Sequence, residues 1–278
     1  MLVLKTAEAM QAWAREQSAK GLRLGLVPTM GYLHAGHLSL VAEAKKRADR
    51  VVVSIFVNPV QFGPNEDFEK YPRDEERDLA LCRDAGVAVV FLPEVSAMYA
   101  PDASVFITEE RLSDGLCGAK RPGHFRGVCT VVAKLFNIAL PQVAVFGQKD
   151  YQQAAIICRM VRDLNFPIEI VVAPILREPD GLAMSSRNVY LAGAERASAL
   201  GLSRALALAA ETVTQAACAA GTVRRLMGEV LESHALKIDY VEIVDASTLE
   251  PVAEARPGNV ALVAVTCGRT RLIDNRVL

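Results

Sequence analysis

The hydrophobic pattern changes character near residue 174. Before that point, short apolar runs rich in Val and Ile alternate with segments of helical periodicity. Residues 22–27, 51–57, 87–92, 143–146 and 168–172 read as strands, three of them as near-continuous apolar runs of the kind covered on both faces. Residues 36–48, 73–85, 128–140 and 150–164 read as the helices between them, with Pro72 suited to the first turn of the second. Strand–helix alternation calls for right-handed crossovers and a parallel sheet. The expected fold is therefore α/β: a Rossmann-like doubly wound domain over residues 1–175. In such sheets ligands sit beyond the carboxyl ends of the strands. Three polar, Gly- and Pro-rich segments follow the first, second and fourth strands: PTMGYLHAGH, NPVQFGPNEDF and GQKD.

After residue 174 the alternation stops. A turn-rich stretch, REPDGLAMSSRN, leads into an Ala-rich segment, 194–220, that predicts a long helix stopped by Gly221. A second helix is predicted over 223–235, then strands over 239–244, 260–266 and 270–273. Helices followed by strands suggest a smaller α+β domain over 176–278, expected to act as a lid.

Composition narrows the function. The 278 residues carry a formal net charge of −1, with 51% hydrophobic and 23% charged residues, which is ordinary globular composition. That balance gives no electrostatic reason to expect a nucleic-acid partner. Residues 24–42 form a 19-residue run without Asp, Glu, Lys or Arg, long enough by count to span a membrane. Pro28, Gly25, Gly31, Gly36, His34 and His37 within it argue against a lipid-exposed helix, so no membrane partner is expected. The N-terminus shows no signal peptide, and a cytoplasmic location is expected. The six cysteines form no Cys-x-x-Cys motif and are expected to be buried or half-buried thiols.

The uncharged run now reads as chemistry. It places a strand end, a glycine loop and a helix start in succession, so backbone N–H groups and the helix dipole favour an anion there. His34 and His37 can each donate to a phosphate oxygen, and Gly36 leaves room for a close ligand. The absence of carboxylates suits a phosphate group. A His-x-x-His zinc pair is the competing reading, weakened by the lack of an obvious third ligand. After the second strand, the Asn58 and Gln61 amides can read hydroxyl and carboxylate oxygens without adding charge, or can satisfy their own loop. Lys149 is a point charge suited to phosphate, Asp150 suits ribose hydroxyls or a helix cap, and Asp150 and Gln153 share a helix face. Ser185, Ser186 and Arg187 form a phosphate-binding set on a loop. His124 reads as either rim or structural. No P-loop, GxGxxG, GxSxG or metal cluster is present in the sequence, which favours transfer on a nucleotide by positioning and charge stabilisation.

Six blocks in order carry a resemblance: PTMGYLHAGH at 28–37, VNPVQFGPNEDFEKYPR at 57–73, RPGHFRGV at 121–128, FGQKDYQQ at 146–153, REPDGLAMSSRN at 177–188 and TRLIDN at 270–275. By them the chain resembles the pantothenate synthetase (pantoate–β-alanine ligase) family of the nucleotidyl-transferase superfamily. Gln148 departs from it, standing where the family commonly has Glu. The resemblance implies an ATP-dependent ligase that joins pantoate to β-alanine through a pantoyl adenylate, releasing pyrophosphate and AMP, with Mg²⁺ accompanying ATP. It implies an ATP site of Met30, Gly31, Tyr32, Leu33, His34, Ala35, Gly36, His37, Gly147, Gln148, Lys149, Asp150, Leu176, Met184, Ser185, Ser186 and Arg187. His37, His34, Lys149 and Arg187 would be catalytic, with His37 as the acid, and Gln61 and Gln153 would grip pantoate. The family also implies a homodimer, and no protein ligand for Mg²⁺ is assigned. No further fused domain is expected.

Overall fold

The computed structural model describes residues 1–64, 66–215 and 217–278. Asn65 of the second block and Ala216 of the predicted long helix lie outside the described residues. In chain order the elements are β1 (Leu2–Leu4), α1 (Ala7–Ala19), β2 (Leu24–Thr29), α2 (Ala35–Lys45), β3 (Arg50–Ile55), α3 (Glu75–Asp84) and β4 (Val89–Phe91). Next come α4 (Val95–Met98), α5 (Leu116–Lys120), α6 (His124–Ala139), β5 (Val143–Gly147), α7 (Tyr151–Asp163) and β6 (Glu169–Ala173). The last are α8 (Ala194–Gln215), β7 (Cys218–Ala219), α9 (Ala220–Ser233), β8 (Lys237–Val244), β9 (Glu254–Ala255), β10 (Val260–Cys267) and β11 (Thr270–Val277).

Packing divides the chain into two units. The first comprises Met1–Asp114, Gly118–Gly147 and Gln153–Pro174. Its six strands are all parallel, in the order β1-β4-β3-β2-β5-β6. The doubly wound parallel sheet expected from the alternation is therefore present, and its winding reverses between β2 and β5. Val27, Val51, Val53, Val143 and Val145 pack against Leu40, Val41 and Ala44 of α2 and Cys82 of α3. Leu24, Leu26 and Val52 are buried too and, by the two-residue period, face the other side, where α1 and α6 lie on β2. Burial on both faces is why these strands read as unbroken apolar runs. PTMGYLHAGH, NPVQ and GQKD accordingly fall at the carboxyl ends of β2, β3 and β5.

Two N-terminal elements went unread. β1 is a three-residue edge strand paired to β4, and α1 buries only a narrow face of Met10, Ala14 and Gln17. Pro72 precedes α3 instead of opening it: Asp74 is the N-cap, its side chain accepting from Arg77 N–H at 3.2 Å.

The second unit comprises Gly115–Cys117, Gln148–Gln152 and Ile175–Leu278. It holds the antiparallel sheet β11-β10-β8 and the ribbon β7-β9, giving the smaller α+β domain. Leu202 and Leu206 of α8, Val223, Met227 and Leu231 of α9, and Val263 and Val265 of β10 form its core. The predicted 194–220 helix does not run through. Cys218 and Ala219 pair with Ala255 and Glu254, and α9 starts at Ala220, which puts Gly221 inside a first turn. A run of alanines carries no stop signal of its own, and a distant strand supplies the break. Gly115 and Cys117 join this unit through Gln152, whose Oε1 accepts Cys117 N–H at 3.0 Å and whose Nε2 donates to Gly115 O at 2.9 Å.

Cys82, Cys117, Cys129 and Cys267 are buried and Cys218 is half-buried, whereas Cys158 is exposed; all six are free thiols. Among the described residues no helix is long and apolar enough to cross a membrane.

Candidate active site

In the first unit the loop after β2 turns back on itself through two left-handed residues, Gly31 (φ 81°) and Tyr32 (φ 50°). A Cβ on Gly31 would stand 3.0 Å from both Asp78 Oδ2 and Ile55 Cγ2, so this position requires glycine twice over. Asp78 on α3 clamps the turn: Oδ2 accepts Tyr32 N–H and Oδ1 accepts Leu33 N–H, each at 2.7 Å. Burial pushes the Asp78 carboxyl above its ordinary value, against the pull of those N–H donors and of Arg77. The uncharged run thus has a carboxylate beneath it after all, from another element. One signal pointed there: Cys82, also buried, lies four residues on along the same helix face.

The two histidines cap α2 together. His34 is the N-cap residue, and its Nδ1 accepts Gly36 N–H at 3.1 Å. His37 Nδ1 accepts His34 N–H at 3.3 Å, and the two rings lie 4.1 Å apart. A ring nitrogen that accepts carries no proton, so both imidazoles are held as the tautomer with hydrogen on Nε2. Gly36 N–H, one of the backbone donors at this helix start, is therefore engaged by the His34 ring. Ala35 and Gly36 form the first turn behind the two rings.

Met30 and Gln61 are brought together, with Gln61 Nε2 3.3 Å from Met30 Sδ. Gln61 lies in a short 3-10 turn, residues Pro59–Gln61, packed against α6. A Cβ at Gly127 of α6 would come within 2.7 Å of Gln61 Cα and N, so the approach depends on glycine there. Asn58 does not read a ligand; its amide is spent inside the protein on Gln61, Gly127 O, Val60 N–H and Tyr99. His124 is structural as well. Its Nδ1–H donates to Gln61 O at 2.9 Å, and Nε2 accepts from Arg121 at 3.0 Å. Arg121 is anchored by Glu66 at 2.7 and 2.5 Å. Burial works to raise the Glu66 carboxyl, and the guanidinium overcomes it, leaving it below its ordinary value. Gly147 ends β5 opposite Ala173, and Gln153 is half-buried on α7.

In the second unit Gln148, Lys149 and Asp150 form a 3-10 turn tied to β11. Asn275 Nδ2 donates to both Gln148 O and Lys149 O at 2.9 Å, while its Oδ1 accepts Gln148 Nε2 at 3.2 Å. The neighbouring Asp274, 2% exposed, takes Arg177 in a two-pronged ion pair at 2.7 and 3.0 Å. Arg177 belongs to the loop in which Met184 N–H donates to Leu176 O at 3.0 Å. Ser185 then caps the turn Ser186–Tyr190, its hydroxyl accepting Arg187 N–H at 3.2 Å. Lys149 and Arg187 therefore stand on separate loops; Asn275 of β11 holds the turn of the first, and Asp274 pairs with Arg177, ten residues before the second. Sequence reasoning noted TRLIDN as a block but assigned it no task. The contacts made by Asp78, Tyr99, Asp274 and Asn275 carry no mark in the local sequence. Among the described residues no group of three or more His, Cys, Asp or Glu could hold a metal ion, which leaves the zinc reading of His34 and His37 without further ligands.

The family described as pantoate-beta-alanine ligase matches residues 2–277. A pantothenate synthetase of Clostridium novyi (strain NT) is 54% identical over 276 residues, covering 99% of this chain and 98% of its own. One from Thermotoga neapolitana is 53% identical over 279 residues, with both chains fully covered. Among solved structures, a pantothenate synthetase from Thermus thermophilus matches with a TM-score of 0.94 at 45% identity, covering 100% of this chain and 99% of that one. A pantoate-beta-alanine ligase from Francisella tularensis, complexed with beta-gamma ATP and beta-alanine, matches with a TM-score of 0.83 at 32% identity, over 100% and 97% of the two chains. This chain belongs to the pantoate–β-alanine ligase family of enzymes, whose members are also named pantothenate synthetases.

Proposed function

We propose that this enzyme makes pantothenate in two steps with ATP as co-substrate. A pantoate carboxylate oxygen attacks the α-phosphorus of ATP, the bond to the β,γ-phosphates breaks, and pyrophosphate leaves. The β-alanine nitrogen then attacks the pantoyl carbonyl, the bond to AMP breaks, and the amine gives up a proton as the amide forms. His34 and His37 donate from Nε2–H to the phosphates, where negative charge grows as pyrophosphate departs. Lys149 and Arg187 supply permanent positive charge, Ser185 and Ser186 further donors, and Gly147 to Asp150 together with Leu176 and Met184 the nucleoside contacts. Gln61 and Gln153 grip pantoate. Mg²⁺ would accompany the ATP and offset part of the charge of its phosphates.

The observation that carries this reading is the placement of Gln61, a neutral donor held against Met30 of the histidine loop. An amide orients a carboxylic acid without neutralising it, whereas an Arg clamp would blunt the nucleophile. The named substrates of the family and the ATP and beta-alanine of the Francisella complex support it. Pyrophosphate exchange into ATP tests it. Exchange is expected to require pantoate and Mg²⁺ and to proceed without β-alanine, and Gln61→Ala is expected to raise the pantoate requirement far more than that for ATP. Exchange supported by a different acid, or none at all, overturns the reading.

Asn275 offers a second check. Asn275→Ala removes both side-chain donors from the Lys149 turn, each worth about 1 kcal/mol. Steady-state kinetics is expected to show KM for ATP raised roughly three- to tenfold with KM for pantoate unchanged. Both constants unchanged, with only apparent kcat lowered, would assign Asn275 to stability alone.

A further inference from the structure

Groups of fixed polarity set the amides around Gln61. Gly127 O, 3.1 Å from Asn58, can only accept, so it faces Nδ2. Val60 N–H, 3.4 Å away, can only donate, so it faces Oδ1. In that orientation Asn58 Nδ2 also donates to Gln61 Oε1 at 3.1 Å, and Oδ1 accepts the Tyr99 hydroxyl proton at 2.9 Å. Asn58 is 1% exposed, and its hydrogen-bonding capacity is filled by these four groups. Gln61 has thereby committed its oxygen and turned its NH₂ toward Met30 Sδ, a weak acceptor.

We propose that Tyr99 is a positioning residue for substrate selection: through Asn58 it holds the Gln61 amide with NH₂ outward, so that this position takes a ligand oxygen that accepts, a carboxylate or hydroxyl oxygen of the acid, and disfavours a group that donates. The inference rests on Gln61 as the pantoate reader. Without the phenol, the buried Asn58 Oδ1 keeps only the long bond to Val60 N–H, and the bias against the flipped amides falls. Tyr99 suits the task. Burial raises its hydroxyl to about 12, so it stays a donor through the working pH range. Its ring is flanked by Phe56, centroids 6.4 Å apart, and by Lys134 Nζ at 5.6 Å.

A double-mutant cycle on KM for pantoate tests it, with Tyr99→Phe, Gln61→Ala and the double variant, and with KM for ATP measured on each. KM is the right readout because an inactive fraction lowers apparent kcat and leaves KM in place. Tyr99→Phe is expected to raise KM for pantoate about three- to tenfold, the worth of one buried hydrogen bond. KM for ATP is expected to stay within about twofold, and the phenol change to add nothing once Gln61 is Ala. If Gln61→Ala raises KM for pantoate while Tyr99→Phe leaves it unchanged, or shifts it by the same factor in both backgrounds, the role of Tyr99 is overturned and that of Gln61 stands. If Gln61→Ala itself leaves KM for pantoate unchanged, the reader assignment falls and the Tyr99 proposal with it.

Discussion

Replacing His37 by Ala is expected to lower pantoate-dependent pyrophosphate exchange by about 10²–10³-fold, the usual cost of one preorganised donor to a developing oxyanion. The fold is expected to lose only about 0.5–2 kcal/mol, because the ring also accepts His34 N–H at the start of α2. His37→Gln separates the two effects. His37 occupies the third helical position, where Gln is a standard capping partner for the N-cap N–H. Thermal unfolding of His37→Gln is therefore expected to return close to the unsubstituted protein, while exchange stays low because the amide does not reproduce the imidazole Nε2–H. Exchange near normal in His37→Ala would reduce the ring to a cap. The geometry also narrows the chemical description. Nδ1 of each ring accepts a backbone N–H, so the proposed contact with the phosphates falls to Nε2.

Asp78→Ala is expected to be the most damaging change to the fold around the site. It strips the acceptors from Tyr32 and Leu33 N–H, in a turn that already holds a non-glycine residue at positive φ. One buried donor, Leu33 N–H, and one part-buried donor, Tyr32 N–H, lose their acceptors, at about 1–3 kcal/mol for a fully buried one. A loss of about 2–5 kcal/mol is expected in denaturant unfolding, with exchange down more than about tenfold as the histidine loop relaxes. Asp78→Asn asks whether the negative charge itself matters. The amide keeps one acceptor and sets a donor against the other N–H, so KM for ATP is expected to rise. A fall in KM for ATP would instead show that the carboxylate repels the nucleotide, and full stability in Asp78→Ala would dismiss the clamp.

The sheet was legible because strands buried on both faces leave contiguous Val and Ile, and the five strands from β2 to β6 lie within a few residues of their predicted ranges. Loop positions followed, since the winding places them at carboxyl ends. What stayed hidden was held by long-range partners. Asp78 lies 45 and 46 residues from the N–H groups it clamps, Tyr99 lies 41 from Asn58, and Asn275 lies 126 from Lys149. No local pattern marks such pairs, because each side chain is ordinary in its own segment: an acid on an acid-rich helix, a tyrosine before a Pro-containing turn, an amide on a terminal strand. The strand at Cys218 and Ala219 is of the same kind, its cause being the β9 partner.

The β11 anchor also has a bearing on how the molecule acquires activity. The Lys149 turn and the Arg177 loop are steadied by residues 126 and 97 positions further along. Contacts over such separations carry large loop-closure entropy and form late. The anchoring of the Lys149 turn is therefore tied to the pairing of β11 with β10, which delivers Asp274 and Asn275.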